Sequence, residues 1–351
     1  MEPLAGVLRK AFPDLDQLAD VLDRDPELFL VRPRTLAIAR TATSDVVAAQ
    51  LAVLRRARDG VNKIRKSGEA AELDPDERFA MEALILSSGG AALLVCDNTV
   101  VLGPGSSLVS AHLSAAERIL PGVGRIDAPH LPHPSYFGTG FLVHKMDEDY
   151  GLLMTNQHVA AKLHCDGSEH VDFGHEAGGH LPRHEFEIVE RLDFRVDPPL
   201  DVALLRVCGR SRQNGLLPAP VPLDERGSTV LVGRDVYVVG YPGFHTGFMD
   251  DTAVAYMARL FEGTFFIKRL LPGRIVALDD GRKTLYHDCT TLNGSSGSCV
   301  VDLETGEVIG LHSGGCHLVH NIAIVMQYLL DSPSARRHRI GADHSPGSTS
   351  T

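Results

Sequence analysis

The sequence predicts a mostly β protein preceded by a small helical unit, on three observations. From about residue 90 onward, short β-branched runs (LLVC, TVVL, TGFLV, GLLMT, EFEIVE, DVALLRV, STVLV, DVYVVG, GRIVAL, SCVVD and EVIGL) alternate with clusters of Gly, Pro, Asn and Asp. No helical pattern recurs between them, which argues for an antiparallel sandwich or barrel and against alternating strand–helix units. The 34 glycines and 20 prolines of the 351 residues supply the turns that many short strands need.

In chain order, residues 1–86 read as helical: they are rich in Ala, Leu, Arg and Asp and poor in glycine, and Pro13 and Pro26 interrupt the pattern. Thr43 or Ser44 is a candidate cap for the next helix, on which Val47, Leu51, Leu54, Val61 and Ile64 share one face. Arg55, Arg56, Arg58, Lys63, Arg65 and Lys66 make that helix basic, the pattern of a solvated face. Residues 87–134 read as a lead-in with a short strand and a helix at 113–120 (LSAAERIL), and 135–331 carry the main run of strands, closed by a helical turn at QYLLD. Residues 332–351 read as a polar, disordered tail.

Composition excludes several function classes. The net charge of −11 disfavours binding to a phosphate backbone, so no nucleic-acid partner is expected. The N-terminus MEPLAGVLRKAFPDLDQ lacks the apolar region of a signal peptide, and the strongest apolar run, AALLVC at 91–96, is strand-sized. The expectation is a soluble, cytoplasmic protein with no membrane association, whose six cysteines are free thiols. His164, Cys165, His170, His175, His180 and His184 are closely spaced but include no HExxH or CxxC, so no metal or other cofactor is expected.

Three local contexts carry chemistry. In GTGFLV followed by LLMTNQHVA, a strand ends at Thr155 and His158 projects from a short helical turn. In PPLDVALLRV, Asp201 precedes an apolar strand, and in TTLNGSSGSCVVD, Gly294-Ser295-Ser296-Gly297 is a tight turn ahead of another. A serine hydroxyl is a poor nucleophile at neutral pH. It needs an imidazole to take its proton, a carboxylate to orient that imidazole, and backbone N–H groups aimed at the developing oxyanion. With 17 histidines and 45 acids the order His, Asp, Ser carries no information, but the three contexts do.

With TNQHVA, LDVALLRV, VVGYPGF, KRLLPGRI, HDCTTLNGSSGSCVVD and EVIGLHSGG, the chain from about 89 to 330 resembles bacterial trypsin-like serine peptidases of the chymotrypsin fold, in the subgroup similar to glutamyl endopeptidases. AALLVCDN and AERILPGVGRI are similar to that subgroup's lead-in. The resemblance implies a double antiparallel β-barrel at 135–331 acting on protein or peptide substrates. It implies Ser296 as nucleophile, His158 as general base, Asp201 as orienting carboxylate, and the N–H groups of Gly294 and Ser296 as oxyanion hole. Ser295 and Cys299 stand where the family usually has Asn and Pro, and among Ser295, Ser296 and Ser298 only Ser296 has glycine two before and one after. Thr291 and His312 match positions that contact an acidic P1 side chain in glutamyl endopeptidases, which implies a preference for Glu or Asp.

The first 22 residues are similar to helical effector-associated modules, which implies a partner protein bound through 1–86. The alternative is a helical extension packed on the first barrel. A non-catalytic trypsin-like scaffold that binds peptides is the rival reading of the whole chain.

Overall fold

The computed structural model describes residues 14–24, 26, 44–81, 92–102, 111–127, 136–179, 182–226, 230–243, 261–316 and 320–341, apart from positions 75, 78, 79, 262, 280, 282 and 293. The predicted boundaries near 86 and 134, and the first 13 residues of the helical unit, lie outside these.

Two antiparallel barrels make up the β region. In the first, β3 (Val123–Asp127), β4 (Tyr136–Lys145), β5 (Tyr150–Thr155), β6 (His170–Asp172), β7 (Glu185–Leu192) and β8 (Ala203–Cys208) close in the order β3-β4-β5-β8-β7-β6. The alternation in EFEIVE buries Phe186 and Ile188 inside, beside Ile126, Leu142, Leu153 and Leu205. The second barrel contains β9 (Asp235–Gly240), β10 (Arg269–Leu278), β11 (Thr284–His287), β12 (Cys299–Asp302), β13 (Val308–Cys316) and β14 (His320–Val325). It closes because β10 pairs with β9 through Arg269–Arg274 and with β11 through Ile275–Leu278, with a register shift between Ile275 and Ala277. The lead-in helix α3 (Leu113–Ile119) and the hairpin β1 (Leu93–Cys96) and β2 (Thr99–Val100) form as predicted, with β1 adding to β10. Asp97 and Asn98, both at positive φ, make the hairpin turn.

Strands of the second barrel bury both faces. Tyr237 and Val239 join a cluster with Phe141 and Met154 of the first barrel, which fuses the two barrels. Their neighbours Val236 and Val238 join another cluster, which contains the N-terminal helices. Lys268 adds a polar tie: fully buried, it donates to Leu120 O and Phe173 O and to the Glu176 carboxylate, each at 2.8 Å. A buried cation needs this complete a set of acceptors.

The helical unit shows α1 (Leu15–Arg24) and α2 (Ser44–Ser67). Leu54, Val61 and Ile64 are buried as the spacing predicts; Val47's side chain lies outside the described residues. The alternative of a helical extension packed on the first barrel is corrected in its location: α1 and α2 bury their apolar stripes in the cluster of Val236, Val238, Leu271 and Val300, because that face of the second barrel is aliphatic too. The basic stretch is neutralised largely within the unit, Arg58 pairing with Asp23 at 2.9 Å, Lys63 with Glu77 at 2.7 Å, and Arg65 with Asp16.

Two further expectations are corrected. The run STVLV does not extend as a strand: Arg234 N–H donates back to Leu231 O, closing a turn that leaves Leu231 and Val232 exposed, while 227–229 lie outside the described residues. The tail is not wholly disordered. After α5 (Met326–Leu330), the helix α6 (Pro333–Arg337) forms with Ser332 as its cap and buries Ala335, and Ile340 follows it into the same cluster. Positions 342–351 lie outside the described residues.

Candidate active site

His158 and Asp201 come from the first barrel. β5 ends at Thr155, and α4 (Gln157–Ala160) turns His158 outward while burying Val159 and Ala160 beneath it. Asn156 donates its amide to Asp201 O at 2.8 Å, which brings the segment before β8 alongside this turn. His158 then donates twice to Asp201: its backbone N–H to Oδ1 at 3.0 Å, and ring Nδ1 to Oδ2 at 2.7 Å. A carboxylate only accepts, so Nδ1 carries the hydrogen and a neutral ring presents Nε2 as a bare acceptor. Burial raises the Asp201 carboxyl, but the bonds from His158 and the Ser313 hydroxyl outweigh it and hold the carboxyl below its usual range.

Ser313 belongs to the second barrel. Its Oγ donates to Asp201 Oδ2 at 2.8 Å, tying β13 to the His158–Asp201 pair. The serine turn lies against the same strand: Gly297 N–H donates to His312 O at 2.9 Å and His312 N–H to Ser298 O at 2.8 Å. From the first barrel, Thr139 of the GTGF run reaches the turn. Its N–H donates to Ser296 O at 2.9 Å and its hydroxyl to Gly294 O at 2.8 Å. With these two carbonyls held, the N–H groups of Gly294 and Ser296 have no acceptor among the described residues. Two donors left open side by side suit an oxyanion.

Both flanking glycines are required by space and conformation. Gly294 has φ +89 and a Cβ there would lie 2.3 Å from Tyr136 Oη; Gly297 has φ +87 and its Cβ would lie 2.0 Å from Thr139 O. Ser295 and Ser298 are buried, and only Ser296 of the three reaches solvent. The two departures from the family pattern take structural places. The Ser295 hydroxyl accepts from Leu292 N–H at 3.4 Å, and Cys299 starts β12, buried opposite Leu311 and Val239.

His312, one residue before Ser313 on β13, faces the other side of the strand. It is 2% exposed, and its Nδ1 lies 3.2 Å from Nε2 of His287, itself fully buried. Burial, and secondarily the nearby His158, pulls its pKa down to about 3, so the ring is neutral at neutral pH. Asn321 stands opposite His287 in the β11–β14 register, so their side chains share a face. Asn321 Nδ2 donates to Cys289 O at 2.6 Å, and Thr291 Oγ1 lies 2.5 Å from Asn321 Oδ1. Thr291 thus pairs with Asn321 and His312 with His287, and the β11–β14 register sets Asn321 opposite His287.

Two histidines of the histidine-rich loop have carboxylate partners. His170 lies 3.6 Å from Asp127 and His175 3.4 Å from Asp172; His180 is outside the described residues. Five cysteines (Cys96, Cys165, Cys208, Cys289 and Cys299) are free.

Sequence reasoning missed Thr139, Ser313, His287 and Asn321. Thr139, His287 and Ser313 sat inside quoted motifs, and strand alternation would have set Ser313 opposite His312. Asn321 has no local signal, because only the closure of the barrel brings it to Thr291 and opposite His287.

Comparison with known proteins gives the family. Residues 138–311 match the family described as trypsin-like peptidase domain. A probable serine protease of Lysobacter enzymogenes is 30% identical over 321 residues, covering 79% of this chain and 80% of that protein. Among solved structures, the serine endoprotease of Yersinia pestis is similar with a TM-score of 0.39 and 19% identity over 60% of this chain, which spans 61% of that structure's length. A serine-to-alanine mutant of Rv3671c from M. tuberculosis H37Rv, in its inactive form, is similar with a TM-score of 0.42 and 21% identity, covering 69% of this chain and 98% of the other. The double barrel, the matched family and the shared length with a serine protease together make this chain a member of the trypsin-like peptidases, the serine endopeptidases of this fold.

Proposed function

We propose that this endopeptidase works through His158, Asp201 and Ser296, with the N–H groups of Gly294 and Ser296 as its oxyanion hole. The observation that carries the reading is the contact of Ser313 with Asp201, which joins the 2.7 Å His158–Asp201 pair of one barrel to the strand bearing the serine turn of the other. In this reading His158 Nε2 takes the Ser296 proton as Oγ attacks the scissile carbonyl. Asp201 stabilises the imidazolium that results, and the oxyanion develops toward the two open N–H groups. His158 then returns the proton to the leaving amine, and water releases the acyl-enzyme by the same steps in reverse order.

At S1, His312 and Thr291 receive the P1 side chain. The resemblance to glutamyl endopeptidases supports a P1 residue ending in an oxygen acceptor, Glu or Asp, with His312 as the donor. For the helical unit, the likeness to effector-associated modules supports a role in recruitment or regulation through a partner protein, and the shared cluster with the second barrel gives it a route to the peptidase. Five free thiols support a reducing compartment such as the cytoplasm.

A fluorophosphonate probe tests the triad. Labelling of the full chain, abolished in Ser296→Ala and in His158→Ala, is the expected result. Folded protein that never labels, or labelling that survives Ser296→Ala, would overturn the assignment and leave a peptide-binding scaffold.

A further inference from the structure

Tyr136, at the start of β4, reaches the serine turn with its phenol. Its Oη lies between two glycines of the second barrel: a Cβ on Gly294 would stand 2.3 Å from that oxygen, and a Cβ on Gly243 1.5 Å from it. The phenol thus fills the space in which a side chain of either residue would begin. At φ +89 and without a side chain of its own, Gly294 can turn its peptide unless its neighbours prevent it. Thr139 holds it by the carbonyl at 2.8 Å, and Tyr136 blocks the flank toward which its Cβ would point.

The wedge is itself backed on two sides. The Phe266 ring meets Tyr136 edge-on with 5.1 Å between centroids, and the Arg125 guanidinium lies 5.9 Å from the Tyr136 ring centroid. Phe266 stands at φ +65, a conformation that bulky residues rarely adopt and that persists only where the surroundings over-determine it. Two hydrogen bonds do so here: its N–H donates to Pro242 O at 2.8 Å, and Arg125 Nη1 donates to its carbonyl at 2.9 Å. Asp127 in turn fixes Arg125 by two bonds, at 2.7 and 2.8 Å. Because Pro242 precedes Gly243, one set of bonds places the aromatic backing and the second glycine together. Burial pushes the Tyr136 phenol well above its ordinary range, so the oxygen beside Gly294 carries no charge that would repel an oxyanion.

An oxyanion hole works because its donors are aimed before charge develops. We propose that Tyr136 is a positioning residue of this hole: the wedge keeps Gly294 from turning, so that its N–H stays directed at the developing oxyanion. This rests on the peptidase reading above and adds to it what holds the first donor still.

The probe is the fluorophosphonate, because phosphonylation of a serine develops charge on an oxygen in the same hole whatever the P1 preference. On the full chain, the saturating rate kinact, the half-saturating concentration KI and the fraction labelled at the end point are measured across pH. Tyr136→Ala is expected to lower kinact about 10^2-fold, near the loss of one oxyanion donor, with KI unchanged. The acid limb of the pH profile stays where it is in the wild type, because the His158–Asp201 pair is untouched. Tyr136→Phe keeps the ring and loses only the atom between the glycines, so kinact falls about tenfold.

Wild-type kinact in folded Tyr136→Ala overturns the inference while leaving the triad intact. Where Tyr136→Ala does not fold, wild-type kinact in Tyr136→Phe does the same. A smaller labelled fraction with wild-type kinact marks a purely structural residue and overturns it too. So does a fall in kinact that comes with a moved acid limb, which places the damage at His158 and not at Gly294. A wild-type chain that never labels overturns the peptidase reading and the inference with it.

Discussion

Two histidines, one from each barrel, are treated in opposite ways. His158 stands on the first barrel with a side chain 45% exposed, held at 2.7 Å by a carboxylate whose own pKa is depressed. His312 is 2% exposed inside the second barrel, and its ring partner is another histidine. On the proposed triad, the carboxylate beside His158 would stabilise the imidazolium that a general base forms. Burial beside another histidine disfavours a charge on His312. Ser313 and His312, neighbours on β13, thus lie in two environments that differ in dielectric and counter-charge.

The largest break in this comparison is Asp201→Asn. The amide keeps the shape but can turn its NH2 toward Nδ1, which forces the His158 hydrogen onto Nε2 and, on the proposed triad, leaves no base for Ser296. We expect kcat to fall about 10^4-fold with KM nearly unchanged. A loss below about tenfold would mean that Asp201 does not set the tautomer, and the contrast between the two histidines would lose its chemical half.

A second test sharpens the other half. The folded pKa of His312, about 3, lies below its ordinary value of 6.5. Between those values the unfolded chain binds a proton that the folded chain refuses. This histidine's contribution is therefore fully present above about pH 6.5 and is lost as pH falls, at up to about 1.4 kcal/mol per pH unit. His312→Gln removes that slope whatever it does to stability at neutral pH. Denaturant unfolding of both proteins between about pH 6.5 and 4.5, above the ordinary range of Asp201, isolates the difference. Parallel stability curves would show that His312 is not held neutral by the fold.

Much of this architecture is legible in the sequence where local rules suffice. The runs EFEIVE and DVYVVG became strands because their residues fill two faces, and Gly294 and Gly297 announced a turn that no side chain could occupy. The tail misled because its charges outnumber its apolar residues, although Ser332 before Pro333 was a readable helix start and Ala335 and Ile340 found a cluster to join. STVLV misled in the other direction, since β-branched composition does not provide a pairing partner. The partner of Thr291 was out of reach altogether. Its hydroxyl donates to Asn321 Oδ1, whose NH2 end faces Cys289 O, a pairing created by barrel closure and absent from any window of the sequence.

The smallest expected effect lies at the residue that joins the two environments. Ser313→Ala removes one donor from Asp201 Oδ2 and leaves both His158 bonds in place. With one fewer donor the carboxyl rises toward its ordinary range, and the tie between β13 and the first barrel is lost. We expect kcat to fall about tenfold, with recovery in Ser313→Thr, which restores the hydroxyl. Stability gives an independent sign. A carboxyl depressed in the folded state contributes stability that is present above its unfolded pKa and lost as pH falls through the folded one. Ser313→Ala forfeits part of that contribution, so the gap between wild type and variant is open at neutral pH and closes in acid as Asp201 protonates in both. A gap that stayed constant through acid would show that the hydroxyl only fills space beside the carboxylate, and β13 would then join the barrels by packing alone.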